Sequence, residues 1–160
     1  HVLDQIEALD CAGDTPLPSM ASELLYRYPD ARFFMTTRPK DAWLKSMHWM
    51  MTEGRIIWRY GNRIDAYHNW CYGTARYDAA ILSKAYDSHH AHVRSMFEAR
   101  ADQYMELDIA AFDRLALAEF AGIDPELVER RSNRPTNARR KATLAQRLTF
   151  ATDRALRRRP

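Results

Sequence analysis

An arginine and a serine at the mouth of a sheet can hold a phosphate, and residues 33–46 bring these two types together. In Phe33-Phe34-Met35-Thr36-Thr37-Arg38-Pro39-Lys40-Asp41-Ala42-Trp43-Leu44-Lys45-Ser46, a compact apolar run leads into Arg38. Pro39 then stands where a helix can begin. The pattern puts Arg38 at the carboxyl end of a buried strand, the place where α/β sheets bind ligands. Ser46 comes seven residues after Pro39, almost two helical turns, and so shares its helix face. A guanidinium fork and a hydroxyl from that face can clasp a phosphate by charge-assisted hydrogen bonds. The plain alternative is an arginine bridged to a neighbouring acid beside an uninvolved serine.

Other residue types invite metal chemistry and then argue against it. His89, His90 and His92 are clustered, and positions 89 and 92 share a helical face. No third ligand stands out, so a histidine-rich, partly exposed helix is the simpler account and no metal is expected. Cys11 and Cys71 lie far apart without CxxC spacing, which points to buried thiols in a reducing, cytoplasmic setting.

The elements that must position these residues follow from periodicity. Residues 5–13 read as a short strand ending at the turn-forming Gly13-Asp14-Thr15-Pro16. Ser19 to Tyr28 has helical spacing and is broken by Pro29-Asp30. Ala31 to Thr37 reads as a buried parallel strand, and the next helix runs from Pro39 towards Glu53, stopping near Gly54. Residues 55–76 are aromatic-rich and helical in pattern, interrupted by Gly61 and Gly73. A longer helix spans Asp78 to about Ala99, Tyr104 to Ile109 alternates like a strand, and Phe112 to Phe120 is helical up to Gly122. Asp124-Pro125 starts a short helix, and residues 138–158 form a basic helical segment with Leu144, Leu148, Ala151 and Ala155 on one face. This order predicts an α/β fold with a small parallel sheet flanked by helices, three strands in all, and a helix-rich C-terminal half. The chain divides into an α/β domain over 1–137 and a basic amphipathic segment over 138–160.

Asp14-Thr15-Pro16, Tyr28-Pro29-Asp30-Ala31 and the segment from Arg38 to Ser46 together resemble the P-loop sulfotransferase superfamily. The resemblance continues through Tyr86-Asp87-Ser88-His89, Val93 and Arg94, then Glu106-Leu107-Asp108-Ile109, Leu115 to Gly122, and Asn133 to Asn137, in the manner of its bacterial-type branch. It implies a partial three-layer P-loop-type fold and a co-substrate, 3′-phosphoadenosine 5′-phosphosulfate, whose 3′-phosphate Arg38 and Ser46 would hold, with Asn137 on a nearby loop. It also implies sulfuryl transfer to a hydroxyl or amine of a small or lipid-like acceptor, which requires a base for the acceptor proton. Asp14 is one candidate and His89 the other; Asp14 also reads as a turn or helix-capping aspartate. Asp108 reads either as a site residue or as a cap.

Two departures qualify the resemblance. The family's 5′-phosphosulfate loop is rich in Gly, Ser and Thr, because consecutive backbone N–H groups cradle the phosphate there. The five glycines at 13, 54, 61, 73 and 122 build no such loop, so the sequence reads as a chain entered partway through and inactive alone. The start, His1-Val2-Leu3-Asp4, has neither a Met nor a signal-peptide pattern. The direct Arg38-Pro39 junction is the second departure, since the family often has Asp or Asn between these residues.

Composition sets the outer bounds. With 46% hydrophobic and 11% aromatic residues the chain is globular, and no apolar run approaches a membrane span. The net charge of +3 hides an asymmetry: residues 130–160 hold eleven Lys/Arg against Asp153 alone, leaving thirteen basic and twenty acidic residues elsewhere. An acidic body is not that of a general nucleic-acid binder. The basic tail has three readings: a solvated helix, an anionic-surface anchor, or a dimer contact. Two other functions stay open beside sulfuryl transfer, a nucleotide- or partner-binding protein without turnover and a nucleic-acid-associated protein acting through the tail.

Overall fold

A computed structural model describes residues 6, 7, 9, 11–14, 16–124, 126 and 141–156. Its sheet has two parallel strands, β1 (Phe33–Thr37) and β2 (Tyr104–Asp108), in register from Phe33 opposite Tyr104 to Thr37 opposite Asp108. The helices are α1 (Ala21–Arg27), α2 (Lys40–Trp49), α3 (Arg55–Ile57), α4 (Asn62–Tyr72), α5 (Ala79–Met96), α6 (Arg114–Ala121) and α7 (Leu144–Leu156). The mixed α/β class, the small parallel sheet and the helical C-terminal half agree with the sequence reading.

The third strand does not form among the described residues. Ile6 is helical, Leu9 donates its N–H to the Ile6 carbonyl at 3.0 Å, and residues 11–13 are irregular. A strand needs a neighbouring ladder, whereas this segment closes on itself, with Leu9 more than half exposed.

Chain punctuation explains most boundaries. Asp78 caps α5 by accepting from the N–H groups of Ala80 and Ile81, both at 3.0 Å, and Asp113 caps α6 in the same way through Leu115 and Ala116. Gly73 (φ 77°) and Gly122 (φ 70°) end α4 and α6 in the left-handed conformation that glycine adopts without cost. Gly54 does not end its helix. A π-helical segment, Met50–Gly54, joins α2 directly to α3, and the run turns only at Trp58 and Arg59 (φ 55°). A Cβ at Gly54 would lie 2.8 Å from the Trp58 ring and 3.1 Å from Trp49, so the missing side chain makes room for the edge-to-face pair of these tryptophans.

The core lies between α2 and α5. Met47, Met51 and the fully buried Leu82 pack there with Trp43, Leu44, Met50, Tyr72 and Tyr77 around them; burying a side chain such as Leu82 contributes about 1.5–3 kcal/mol. One sheet face packs on the end of α5, where the Phe97 ring meets both Phe33 (5.1 Å) and Tyr104 (4.9 Å). Arg94 on α5 holds Glu106 on β2 with two bonds, at 2.7 and 2.9 Å.

At the C-terminal end, a reciprocal capping box between Thr143 and Gln146 opens α7. Its predicted apolar face is not a packing face at Leu144 and Leu148, which are 74% and 61% exposed. A charge fixes the helix instead: Glu53 of the π-helical segment accepts from the Ala142 N–H at 2.6 Å and from Arg147 at 2.6 and 2.7 Å. No helix among the described residues is long and apolar enough to cross a membrane.

Candidate functional site

Strand β1 ends one residue before Arg38, and α2 starts two residues after it, so Arg38 sits at the strand-to-helix junction. Its Nη1 donates to the Ser46 hydroxyl at 2.7 Å, and both side chains are half-buried. The two residues named from spacing are therefore in direct contact. No acid pairs with Arg38 among the described residues. This sets it apart from Arg27, Arg55, Arg94 and Arg147, which pair with Glu7, Asp65, Glu106 and Glu53 respectively. Those four are structural bridges, and Arg38 keeps donors for an anion.

The junction is held from α5. Tyr86 donates its hydroxyl to the Arg38 carbonyl at 2.7 Å. Its ring is stacked on His90 at 4.0 Å and packs at 5.2 Å from Trp43. Lys40 adds a 2.6 Å bond to Asp87 and lies 5.9 Å from the Tyr86 ring centre. The i, i+4 spacing of Tyr86 and His90 could have shown the stack, but nothing in the sequence marks Tyr86 as the donor to a backbone carbonyl 48 residues away.

The base candidates occupy other ground. Asp14 lies in an exposed turn, with φ 68° and its carbonyl accepting the Leu17 N–H at 3.0 Å. The strand expected before it does not form among the described residues, so no strand end is seen to position it. It sits near enough to Tyr60 for its charge, after burial, to push that phenol's pKa up. His89 is half-buried on α5, one turn from Tyr86, and its ring meets His90 edge-on at 6.1 Å. Burial first, then His90 and His92, holds His89 below the usual histidine pKa and keeps it neutral near pH 7. His92 is turned to Ser22, 3.0 Å away. Among the described residues no three metal-binding side chains come together. Asp108 caps a turn through the Ala110 N–H at 2.9 Å. Asn137 lies outside the described residues.

One polar cluster had no signal in the sequence. Arg55, 6% exposed, binds Asp65 at 2.5 Å across the break at Gly61, and His68, 5% exposed, lies beside them on α4. Ten residues and a glycine separate Arg55 from Asp65, a spacing no helical or strand period brings together. The aromatics after residue 55 surround this cluster: Tyr60, Tyr67 and Tyr72 have ring centres 5.6–6.0 Å from that of His68.

A family model described as "Sulfotransferase domain" matches residues 3–123, about three quarters of the chain. The match takes in Asp14, Arg38, Ser46 and His89 and stops short of Asn137 and α7. No curated protein and no solved structure matches the chain. With its strand-end arginine clasped to the helix serine inside so long a match, the chain belongs to the sulfotransferase-domain family.

Proposed function

We propose that this protein is a sulfotransferase, transferring a sulfuryl group from 3′-phosphoadenosine 5′-phosphosulfate to a hydroxyl or amine of a small or lipid-like acceptor. The observation that carries the reading is the Arg38–Ser46 contact at 2.7 Å, with no acid on Arg38 among the described residues. A guanidinium fork and a hydroxyl fit a phosphate dianion, which accepts several hydrogen bonds at once. Arg38 and Ser46 would hold the 3′-phosphate, with Asn137 completing the same subsite. Asp14 or His89 would accept the proton that the acceptor loses as its oxygen or nitrogen bonds to sulfur and the sulfur–oxygen bond to the 5′-phosphate breaks. His89 suits that role in one respect, since a neutral imidazole is ready to take a proton.

No glycine-rich loop lies within these 160 residues to cradle the 5′-phosphosulfate. We therefore expect this chain to bind nucleotide without turnover when it is alone. The acidic body and the two cysteines outside any CxxC pattern fit a cytoplasmic protein that does not bind nucleic acid generally, and α7 offers a surface for a homodimer. Titration calorimetry with 3′-phosphoadenosine 5′-phosphate tests the reading: binding tighter than that of adenosine 5′-phosphate supports it, and equal binding defeats it.

A further inference from the structure

Arg55, Asp65 and His68 make a buried polar cluster that the 3′-phosphate subsite does not use. The Arg55 Nη2 donates to Asp65 at 2.5 Å, and Arg76 lies 3.7 Å from the same carboxylate. Among the described residues, the Nε and Nη1 of Arg55 and the Nδ1 of His68 are buried without a hydrogen-bond partner. Each such group costs about 1–3 kcal/mol when it stays unpaired, and folded proteins tolerate few of them. Three such atoms within fourteen residues call for a complement from outside the cluster.

The chemistry of that complement follows from the donors. A guanidinium only donates, so whatever meets Nε and Nη1 must accept hydrogen bonds. In a buried, positively charged setting an anion is a better acceptor than a neutral group, and a carboxylate matches the planar guanidinium. Burial first, then Arg55, keeps His68 neutral near pH 7, with Asp65 opposing. In the tautomer that carries its proton on Nδ1, it can donate a second hydrogen bond to the same anion.

Access and surroundings narrow the class. Side-chain exposure rises from 8% at Arg55 to 23% at Asp65 and 49% at Arg76, so the cluster opens to solvent on the Arg76 side. The rings of Tyr60, Tyr67 and Tyr72 lie around His68 and favour an apolar or aromatic body behind the charged group.

We propose that Arg55 and His68 form a second anion site, which holds a carboxylate on the acceptor. The assignment of the ligand as acceptor rests on the sulfotransferase reading; the anion site itself does not.

The test uses 4-hydroxyphenylacetate and its uncharged methyl ester as probes, titrated calorimetrically into the full chain, Arg55→Lys, His68→Phe and Arg38→Ala. Arg55→Lys keeps a cation for Asp65 but removes the two unpartnered donors, and melting curves establish that each variant is folded. The acid should bind at least about tenfold more tightly than the ester. Arg55→Lys should erase that difference, and His68→Phe should reduce it, while both leave 3′-phosphoadenosine 5′-phosphate binding unchanged. Arg38→Ala should do the reverse. Equal binding of acid and ester, or an acid preference that survives in Arg55→Lys, overturns the site; should Arg55→Lys not fold, an undiminished preference in His68→Phe overturns it instead. Absence of 3′-phosphoadenosine 5′-phosphate binding by the unsubstituted chain, with its acid preference intact, would overturn the sulfotransferase reading and leave the anion site standing.

Discussion

Arg38 owes its position to its backbone as much as to its side chain. The Tyr86 hydroxyl fixes the Arg38 carbonyl at 2.7 Å, and Tyr86 is itself clamped by the His90 ring and Trp43. Tyr86→Phe keeps the ring and removes only that donor. A neutral hydrogen bond contributes roughly 0.5–1.5 kcal/mol, so affinity for 3′-phosphoadenosine 5′-phosphate should fall about two- to tenfold. Binding of adenosine 5′-phosphate, which has no 3′-phosphate, should not change. That contrast separates positioning of Arg38 from a general loss of stability. At this scale the sequence was most informative where two functional residues share a short local frame, as Arg38 and Ser46 do across a strand-to-helix turn. It was silent on Arg55, Asp65 and His68, which meet only because the chain bends at Trp58 to Gly61.

Elements were legible in the sequence to the extent that local chemistry ends them. Asp78, Asp113, Gly73 and Gly122 mark α4, α5 and α6 within a residue or two, because caps act on their own backbone. The sequence predicts that the helix after Arg38 stops near Gly54, yet packing overrides propensity there: the close approach of Trp49 and Trp58 keeps glycine inside a helical run. The strand read over 5–13 has the apolar residues of a strand but, among the described residues, no ladder to join. Helix α7 was read from its apolar face, whereas Glu53 is what attaches it. Its N–H and Arg147 contacts also hold the Glu53 carboxyl below its usual pKa, the Ala142 N–H being the larger cause. Glu53→Gln should therefore loosen the start of α7. Hydrogen exchange at Ala142 and through the first turn of α7 should speed up, while exchange in α5 stays slow; unchanged exchange at Ala142 would show that another contact anchors the helix.

For the whole molecule, pH is the simplest probe of how these groups are buried. His68, His89 and His90 have lowered pKa values, with burial the first cause in each. Below the unfolded value of about 6.5, the unfolded chain takes up protons more readily than the fold, so stability falls as pH falls. Glu53 and Glu106 are also lowered, Glu106 chiefly by its bond to Arg94, and their stabilisation is present above about 4.5 and lost on further acidification. Both groups act in the same direction. The melting temperature should drop between pH 7.5 and pH 5.5, and again towards pH 4; a flat profile across the first interval would mean that the histidines are solvated.

The central claim is that Arg38 and Ser46 form the 3′-phosphate subsite of a sulfotransferase, and one titration reaches it most directly. Calorimetry with 3′-phosphoadenosine 5′-phosphate should be run on the wild-type chain, Arg38→Ala and Ser46→Ala, with adenosine 5′-phosphate as reference. Removing a charge-assisted donor costs roughly 1.5–3 kcal/mol, so Arg38→Ala should weaken binding by at least about tenfold. Ser46→Ala should weaken it several-fold, and Arg38→Ala should bind the two nucleotides alike. Undiminished preference for the 3′-phosphorylated nucleotide in Arg38→Ala would contradict the account and place nucleotide recognition elsewhere in the chain.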